Sequence, residues 1–216
     1  VNERPVWQVI KGGSKSYIPR LLKGIENRVK LSSSVTRVTR LDRGVEVFWL
    51  EQGVEKKDIF DHVVMCGHAD ETLSLIANPT NLEKEILGNF SYQDNEAIMH
   101  TDESVLPKNK KAWAAWNYFV PKRSKDKVLL SYNMNILQGI KSPETFIVSL
   151  NMQERIDPKK VIKKINYAHP TYTVPAALAQ NRFHEINGKD RLHFAGAYWR
   201  NGFHEDGVVS ALRVCE

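Results

Sequence analysis

The chain has 216 residues, 42% of them hydrophobic and 26% charged, which suffices for one large domain or two small intertwined ones with a proper core. No apolar run reaches the roughly 18 residues of a helical membrane span, and the opening Val1-Asn-Glu-Arg-Pro5 lacks the charged-then-apolar order of a signal peptide. The net charge is +6, and two cysteines make no secreted-type disulfide framework, so a cytoplasmic location is expected.

In chain order, Gly12-Gly13-Ser14 precedes Tyr17, Ile18, Leu21, Leu22, Ile25 and Val29, a helical spacing with Ser14 as its N-cap. Strand-like pieces follow at residues 35–39, 45–50 and 59–66, separated by turns rich in Asp, Gly and Lys. The third ends at Gly67, with Cys66 expected as a small buried side chain, and His68-Ala-Asp70 opens a helix. A short helix near Leu82, Ile86 and Leu87 leads to segments rich in aromatic residues and valine at 96–100, 112–120, 128–134 and 145–150. Their spacing predicts an antiparallel sheet. Basic clusters at 108–111, 122–127 and 159–164 stand beside prolines and are expected as solvated turns or exposed helix faces. His169-Pro170 reads as a turn element. A helix near 174–183, a strand at 192–195, an aromatic glycine-bearing loop and a closing helix complete the chain. That last helix places Val208, Leu212 and Cys215 on one side.

The closing stretch, Gly196-Ala-Tyr-Trp-Arg-Asn-Gly202-Phe-His-Glu-Asp-Gly207-Val-Val-Ser210, carries the chemistry. A strand running through such a loop into a helix aims backbone N–H groups and a helix dipole at one point, where an electron-rich group is welcome. Gly207 would let the helix backbone approach a neighbour closely. Glu205 and Asp206 in the first turn also offset the dipole, as a purely structural helix start requires. No metal is expected, because His204, Glu205 and Asp206 are adjacent and share no helix face. Ser14 lacks the Gly-x-Ser-x-Gly context of a nucleophile elbow. Trp113, Trp116, Tyr118 and Tyr132 read either as core packing or as lining for a substrate pocket.

Gly202-Phe-His-Glu-Asp-Gly-Val-Val-Ser-Ala211 resembles the C-terminal flavin motif of flavin-containing amine oxidases and related FAD-dependent oxidoreductases. Further phrases resemble a branch of predicted FAD-dependent amine oxidoreductases: Gly12-Gly-Ser-Lys-Ser-Tyr17, Val64-Met-Cys-Gly-His-Ala-Asp70, His100-Thr-Asp102 and Trp113-Ala-Ala-Trp-Asn-Tyr118. Ser131-Tyr-Asn-Met-Asn-Ile-Leu-Gln138, His169-Pro170 and Gly196-Ala-Tyr198 continue the likeness in the same order.

The resemblance implies FAD as cofactor. It sets His204, Glu205, Gly207 and Val208 at the flavin's pyrimidine edge, and Gly196 and Ala197 by the pyrophosphate or ribityl chain. Val35 would hold the adenine through its backbone, Cys66 and Gly67 would lie beside the adenosine half, and Phe203 would face both flavin and substrate. Trp116, Tyr118 and Tyr132 join Phe203 as expected substrate contacts. No catalytic base is assigned, and no lysine matches the one that contacts the flavin through water in many amine oxidases.

No Gly-x-Gly-x-x-Gly follows a strand anywhere in the chain. In the family that fingerprint precedes everything seen here, so the chain is expected to be the C-terminal portion of a longer flavoprotein, binding FAD weakly by itself. The expected fold is mixed α/β: an incomplete Rossmann-like three-layer FAD domain (1–78 and 170–216) intertwined with an antiparallel-sheet substrate domain (79–169). The partners are FAD, a small-molecule or lipid-linked substrate and the missing N-terminal segment, with no nucleic acid. The alternative is a non-catalytic module that meets an anionic partner or a membrane surface through its basic turns.

Overall fold

The computed structural model describes residues 8–121 and 127–216, so the basic cluster at 122–127 lies outside the described residues apart from Lys127. A one-turn helix α1 (Ile18–Leu21) precedes an antiparallel meander of β1 (Ser33–Leu41), β2 (Gly44–Glu51) and β3 (Val54–Phe60), then β4 (Val63–Met65). Helices α2 (Ala69–Leu75) and α3 (Asn81–Leu87) lead to β5 (Tyr92–His100), β6 (Trp116–Tyr118), β7 (Leu130–Asn133), α4 (Met134–Gln138), β8 (Ile147–Leu150) and β9 (Val161–Pro170). The chain closes through α5 (Val174–Gln180), α6 (Phe183–Ile186), β10 (Leu192–Phe194) and α7 (His204–Cys215). The fold is therefore mixed α+β with antiparallel sheets.

Two compact units divide the chain. One, the sheet unit, holds Val1–Val29 and Asp94–Ala168; the other, the motif unit, holds Lys30–Gln93 and His169–Glu216. These bounds group the opening segment with residues 94–168 and place α3 in the motif unit, unlike the division at residues 78 and 170 read from the sequence.

In the motif unit the meander stands apart from a parallel pair formed by β4 and β10. Side chains alternate along a strand, so Leu192 and Phe194 enter the core while His193 between them points away from it. They pack with Val38, Val45, Met65, Ile86, Leu87, Phe90 and Trp199. Phe90 and Phe183 meet the Trp199 ring edge-on, at 5.2 and 5.0 Å between centroids. Helix α3 starts sharply because Thr80 Oγ1 accepts the Glu83 N–H (3.2 Å) and Glu83 Oε2 accepts the Thr80 N–H (2.8 Å). The Glu83 carboxylate also pairs with Arg40 from β1.

The sheet unit is a five-stranded sheet in the order β6-β7-β8-β5-β9. The pairings of β6 with β7, β7 with β8 and β8 with β5 are antiparallel. Its core gathers Ile98, Val105, Leu106, Leu129, Ile147, Met152 and Ile156.

Several expectations are corrected. The helical spacing of residues 17–29 yields only a 3₁₀ turn (Ser14–Tyr17), α1 and a second 3₁₀ turn (Glu26–Arg28). Ile18, Leu21, Ile25 and Val29 are exposed, so no buried face sustains a longer helix, and Gly24 leaves helical geometry at φ 88°. Ser14 caps nothing; Gly13 holds the N-cap position. The piece at 59–66 is broken at Asp61-His62 into the end of β3 and the start of β4. Cys66 lies one residue past β4 and is exposed rather than buried.

Lys163 and Lys164 sit on β9, neither a turn nor a helix, and His169-Pro170 ends that strand. Strand β9 is a sheet edge, mostly solvated, and so carries no apolar alternation to read; lysine on an edge also discourages further pairing. On α7 the expected apolar side is outward: Val208 and Leu212 are 55% and 59% exposed, while Asp206 and Ser210 are the buried pair.

Candidate cofactor site

The parallel pairing of β4 with β10 sets Val63, Val64 and Met65 opposite Leu192, His193 and Phe194. The Ala195 N–H then reaches Met65 O at 2.9 Å. The two strands therefore end side by side, bringing Cys66-Gly67 next to Gly196. The carboxyl ends of parallel strands are where open α/β sheets take ligands.

Beyond Gly196 the chain makes a 3₁₀ turn, Ala197–Trp199, and the loop then delivers α7. Gly196 has extended backbone, and its lack of a side chain admits the Tyr198 ring, which any Cβ there would strike. Gly202 is left-handed at φ 85°, with the Tyr172 hydroxyl pressed against it. Burial, followed by the Asp206 carboxylate, pushes the Tyr172 phenol above its ordinary value. Gly207 is different: a Cβ there would meet nothing within 4 Å, so the close packing expected at this position is not found.

Two buried side chains of α7 hold the loop. Asp206 Oδ2 accepts the N–H groups of Asn201 (3.2 Å) and Phe203 (2.9 Å), and its Oδ1 lies 3.5 Å from Arg200 Nε. Ser210 Oγ accepts the Gly196 N–H at 2.9 Å and donates its own proton to Gly207 O at 2.7 Å. The strand end and the helix start are thus tied through one hydroxyl. Neither residue was among the cofactor contacts expected from sequence. An acid three residues after the N-cap is a legible half of a capping box, whereas nothing local marks Ser210.

Near the β4 end, Ala69 N–H donates to Tyr92 Oη at 2.9 Å, and the His68 ring stacks on Tyr92 at 4.4 Å. Burial pushes the Tyr92 phenol up to about 12, so it stays protonated. His68 Nδ1 and Thr72 Oγ1 are buried there without a hydrogen-bond partner among the described residues.

Of the expected cofactor residues, the parallel pair and the Ser210 tie bring Cys66, Gly67, Gly196, Ala197 and Gly207 into one region. Phe203 is the N-cap of α7 and 47% exposed; His204, Glu205 and Val208 are exposed on its first turns. Val35 lies on β1, paired with Trp49, in the meander rather than in the parallel pair. The meander also bounds an open hollow of about 580 Å³, lined by Leu31, Ser32, Glu51, Gln52, Val54 and Lys56. None of the expected cofactor residues lines it.

In the sheet unit, Trp116 and Tyr132 are register partners whose rings meet edge-on at 5.4 Å, and Tyr118 follows on the same strand face. Trp116 and Tyr118 are exposed instead of core residues. The same unit buries a serine–histidine pair, with His100 Nε2 2.8 Å from Ser149 Oγ. The Asp102 N–H donates to His100 Nδ1 (3.0 Å), so the ring proton sits on Nε2 and is donated to the serine. Such an imidazole cannot act as base toward Ser149 in this arrangement, which excludes a nucleophilic dyad.

No protein-family model matches the chain, and no curated protein matches it. Its fold is similar to that of 112 solved chains, among them the following two. One is a CLA-producing fatty acid isomerase from P. acnes, at a TM-score of 0.59 and 15% identity over 94% of this chain and 51% of that one. The other is cyclohexylamine oxidase from Brevibacterium oxydans IH-35A, at 0.57 and 11% over 91% and 50%. The chain spans about half the length of each. The likeness is one of fold.

Proposed function

We propose that the chain is the C-terminal portion of an FAD-dependent oxidoreductase of the amine oxidase-like class. The observation that carries this reading is the region where β10, its loop and α7 converge. A helix start and the ends of two parallel strands are held together there, and the Gly207 surface of the helix is open among the described residues. The sequence resemblance supplies the flavin. The likeness of fold to an oxidase of cyclohexylamine supports the same class, and the fatty acid isomerase leaves a lipid-like substrate equally compatible.

The residues fit the cofactor. The α7 start at His204 and Glu205, with Gly207 and Val208, would face the flavin's pyrimidine edge, where a helix dipole favours negative charge. Ala197 and Gly196, with Cys66 and Gly67, would border the ribityl–diphosphate stretch. The Gly196 N–H is engaged by Ser210, so that residue would shape the site instead of donating to the phosphates. When bound, FAD would supply the electron-accepting chemistry; the protein would orient the substrate and exclude water. Phe203 remains the proposed aromatic neighbour of both, and Trp116, Tyr118 and Tyr132 are proposed substrate contacts of the sheet unit. The dinucleotide fingerprint would come from a preceding segment of the same protein, so this chain alone should hold FAD weakly.

The test is the full-length protein purified with added FAD. A bound flavin spectrum, bleached anaerobically by a primary alkylamine or an unsaturated fatty acid, is the expected outcome, and the substrate that bleaches it defines the chemistry. A protein that stays colourless would refute the cofactor assignment.

A further inference from the structure

We infer that Ser210 is a positioning residue that makes two half-sites act as one, an inference resting on the flavin reading above. The argument begins with the hydroxyl. Ser210 is 1% exposed, and its single oxygen takes the Gly196 N–H at the end of β10 and gives its proton to the Gly207 carbonyl in the first turns of α7. Both bonds have ordinary, well-formed lengths and both partners belong to the motif. The Gly196 N–H is taken by this hydroxyl, and the Tyr198 ring occupies the space a side chain at Gly196 would fill. Among the described residues Gly207 has no neighbour within 4 Å of where its Cβ would stand, so their packing at that point does nothing to fix the helix start.

Asp206 fixes a different piece. It gathers the N–H groups of Asn201 and Phe203, orienting the loop on the helix without reaching the strand. Ser210 joins strand and helix. Its removal leaves the loop clamped and the core of the motif unit intact, yet loosens the spacing between Gly196 and Gly207.

A ligand that touches only one side is indifferent to that spacing. A ligand that spans both gains from it, because binding at one end presents the other end at a high effective concentration. FAD spans a diphosphate side and a ring side, whereas ADP and riboflavin each carry one. Ser210 should therefore matter for the joined molecule and not for its parts. A merely structural serine would weaken all three ligands together or none of them.

The experiment uses the full-length protein, as wild type, Ser210→Ala and Ser210→Thr. Threonine keeps an oxygen able to bond the carbonyl three residues earlier in a helix. Affinities for FAD, ADP and riboflavin are measured by flavin fluorescence quenching and by calorimetry, with circular dichroism and melting as folding controls. The expected result is a loss of FAD affinity of about tenfold or more in Ser210→Ala, recovery in Ser210→Thr, and changes within about twofold for ADP and riboflavin. Equal FAD affinity in wild type and Ser210→Ala, or parallel losses for all three ligands, overturns the inference while leaving the cofactor reading standing. A wild-type protein that binds no FAD overturns both.

Discussion

Replacing Ser149 with alanine isolates the polar seam that crosses the sheet unit. His100 Nε2–H donates to Ser149 Oγ at 2.8 Å, Ser149 is joined to Ser131 Oγ at 2.7 Å, and Ser131 Oγ meets Met152 Sδ at 3.3 Å. The Asp102 N–H on His100 Nδ1 sets the direction of the whole chain. All the side-chain members are at most 2% exposed, so water offers no replacement. Ser149→Ala strands the imidazole N–H and deprives Ser131 of its donor. A buried group left unpaired costs about 1–3 kcal/mol, and two affected partners place this change in the upper part of that range. Ser131→Ala removes only the acceptor of Ser149 and a weak thioether contact, so about 1 kcal/mol is expected. Urea unfolding followed by far-UV circular dichroism and tryptophan fluorescence reads both, with unchanged slopes as the condition for comparison. A Ser149→Ala cost no larger than that of Ser131→Ala would refute the directed chain.

The same seam sets a pH dependence. Burial first, and then Lys160, lower the His100 pKa below 6.5, against the opposing pull of Asp102. The unfolded chain then takes up its proton first, so stability is full above pH 6.5 and declines as pH falls below it; His100→Gln should flatten that acid limb in urea midpoints. Flattening will be partial, since burial also lowers His169 and His193. Glu83→Ala should cost about 3–5 kcal/mol, because it leaves Arg40 without its buried partner, whereas Thr80→Ala, which removes only the cap, should cost about 1 kcal/mol; chemical denaturation separates the two. Gly202→Ala should cost about 1–3 kcal/mol in the same assay, from left-handed backbone and displacement of Tyr172. Gly207→Ala should instead raise stability by up to about 1 kcal/mol, as alanine favours the helix, while lowering FAD affinity of the full-length protein measured by fluorescence quenching.

What could be read from the amino-acid order follows from how local each determinant is. The Thr80–Glu83 cap is complete within four residues, and the helix it starts was legible. The strand that ends at Phe194 and the helix that follows were legible too, because the alternation at Leu192, His193 and Phe194 and the glycine after them are local signals. Residues 17–29 show the opposite case. Their spacing is helical, but a stripe forms a helix only if something covers it, and Ile18, Leu21 and Ile25 are solvated. Strand β9 has no local signal for the converse reason: its identity lies in backbone pairing at the sheet edge, and its lysines and tyrosine carry no period. Cys66 departs from a buried position by a single residue of register, since the apolar run continues one step beyond the last strand pair.

The glycines of the closing motif show how much of a pattern can be owed to packing alone. Gly196 is required by the Tyr198 ring and Gly202 by its left-handed backbone against Tyr172, whatever the site binds. Neither is evidence for a ligand. Gly207 has no such internal reason among the described residues: it sits in a helix, where glycine is costly, and none of them fills the space beside it. Buried acid and serine on the same helix secure the loop and the strand end around that position. A residue that weakens its own helix, held between two positioning contacts, is accounted for if a flat group lies against the backbone there. The comparison of Gly207→Ala stability with its flavin affinity therefore bears most directly on the cofactor. A gain in stability with undiminished binding would leave the glycine without a function and remove the main structural support for a flavin at α7.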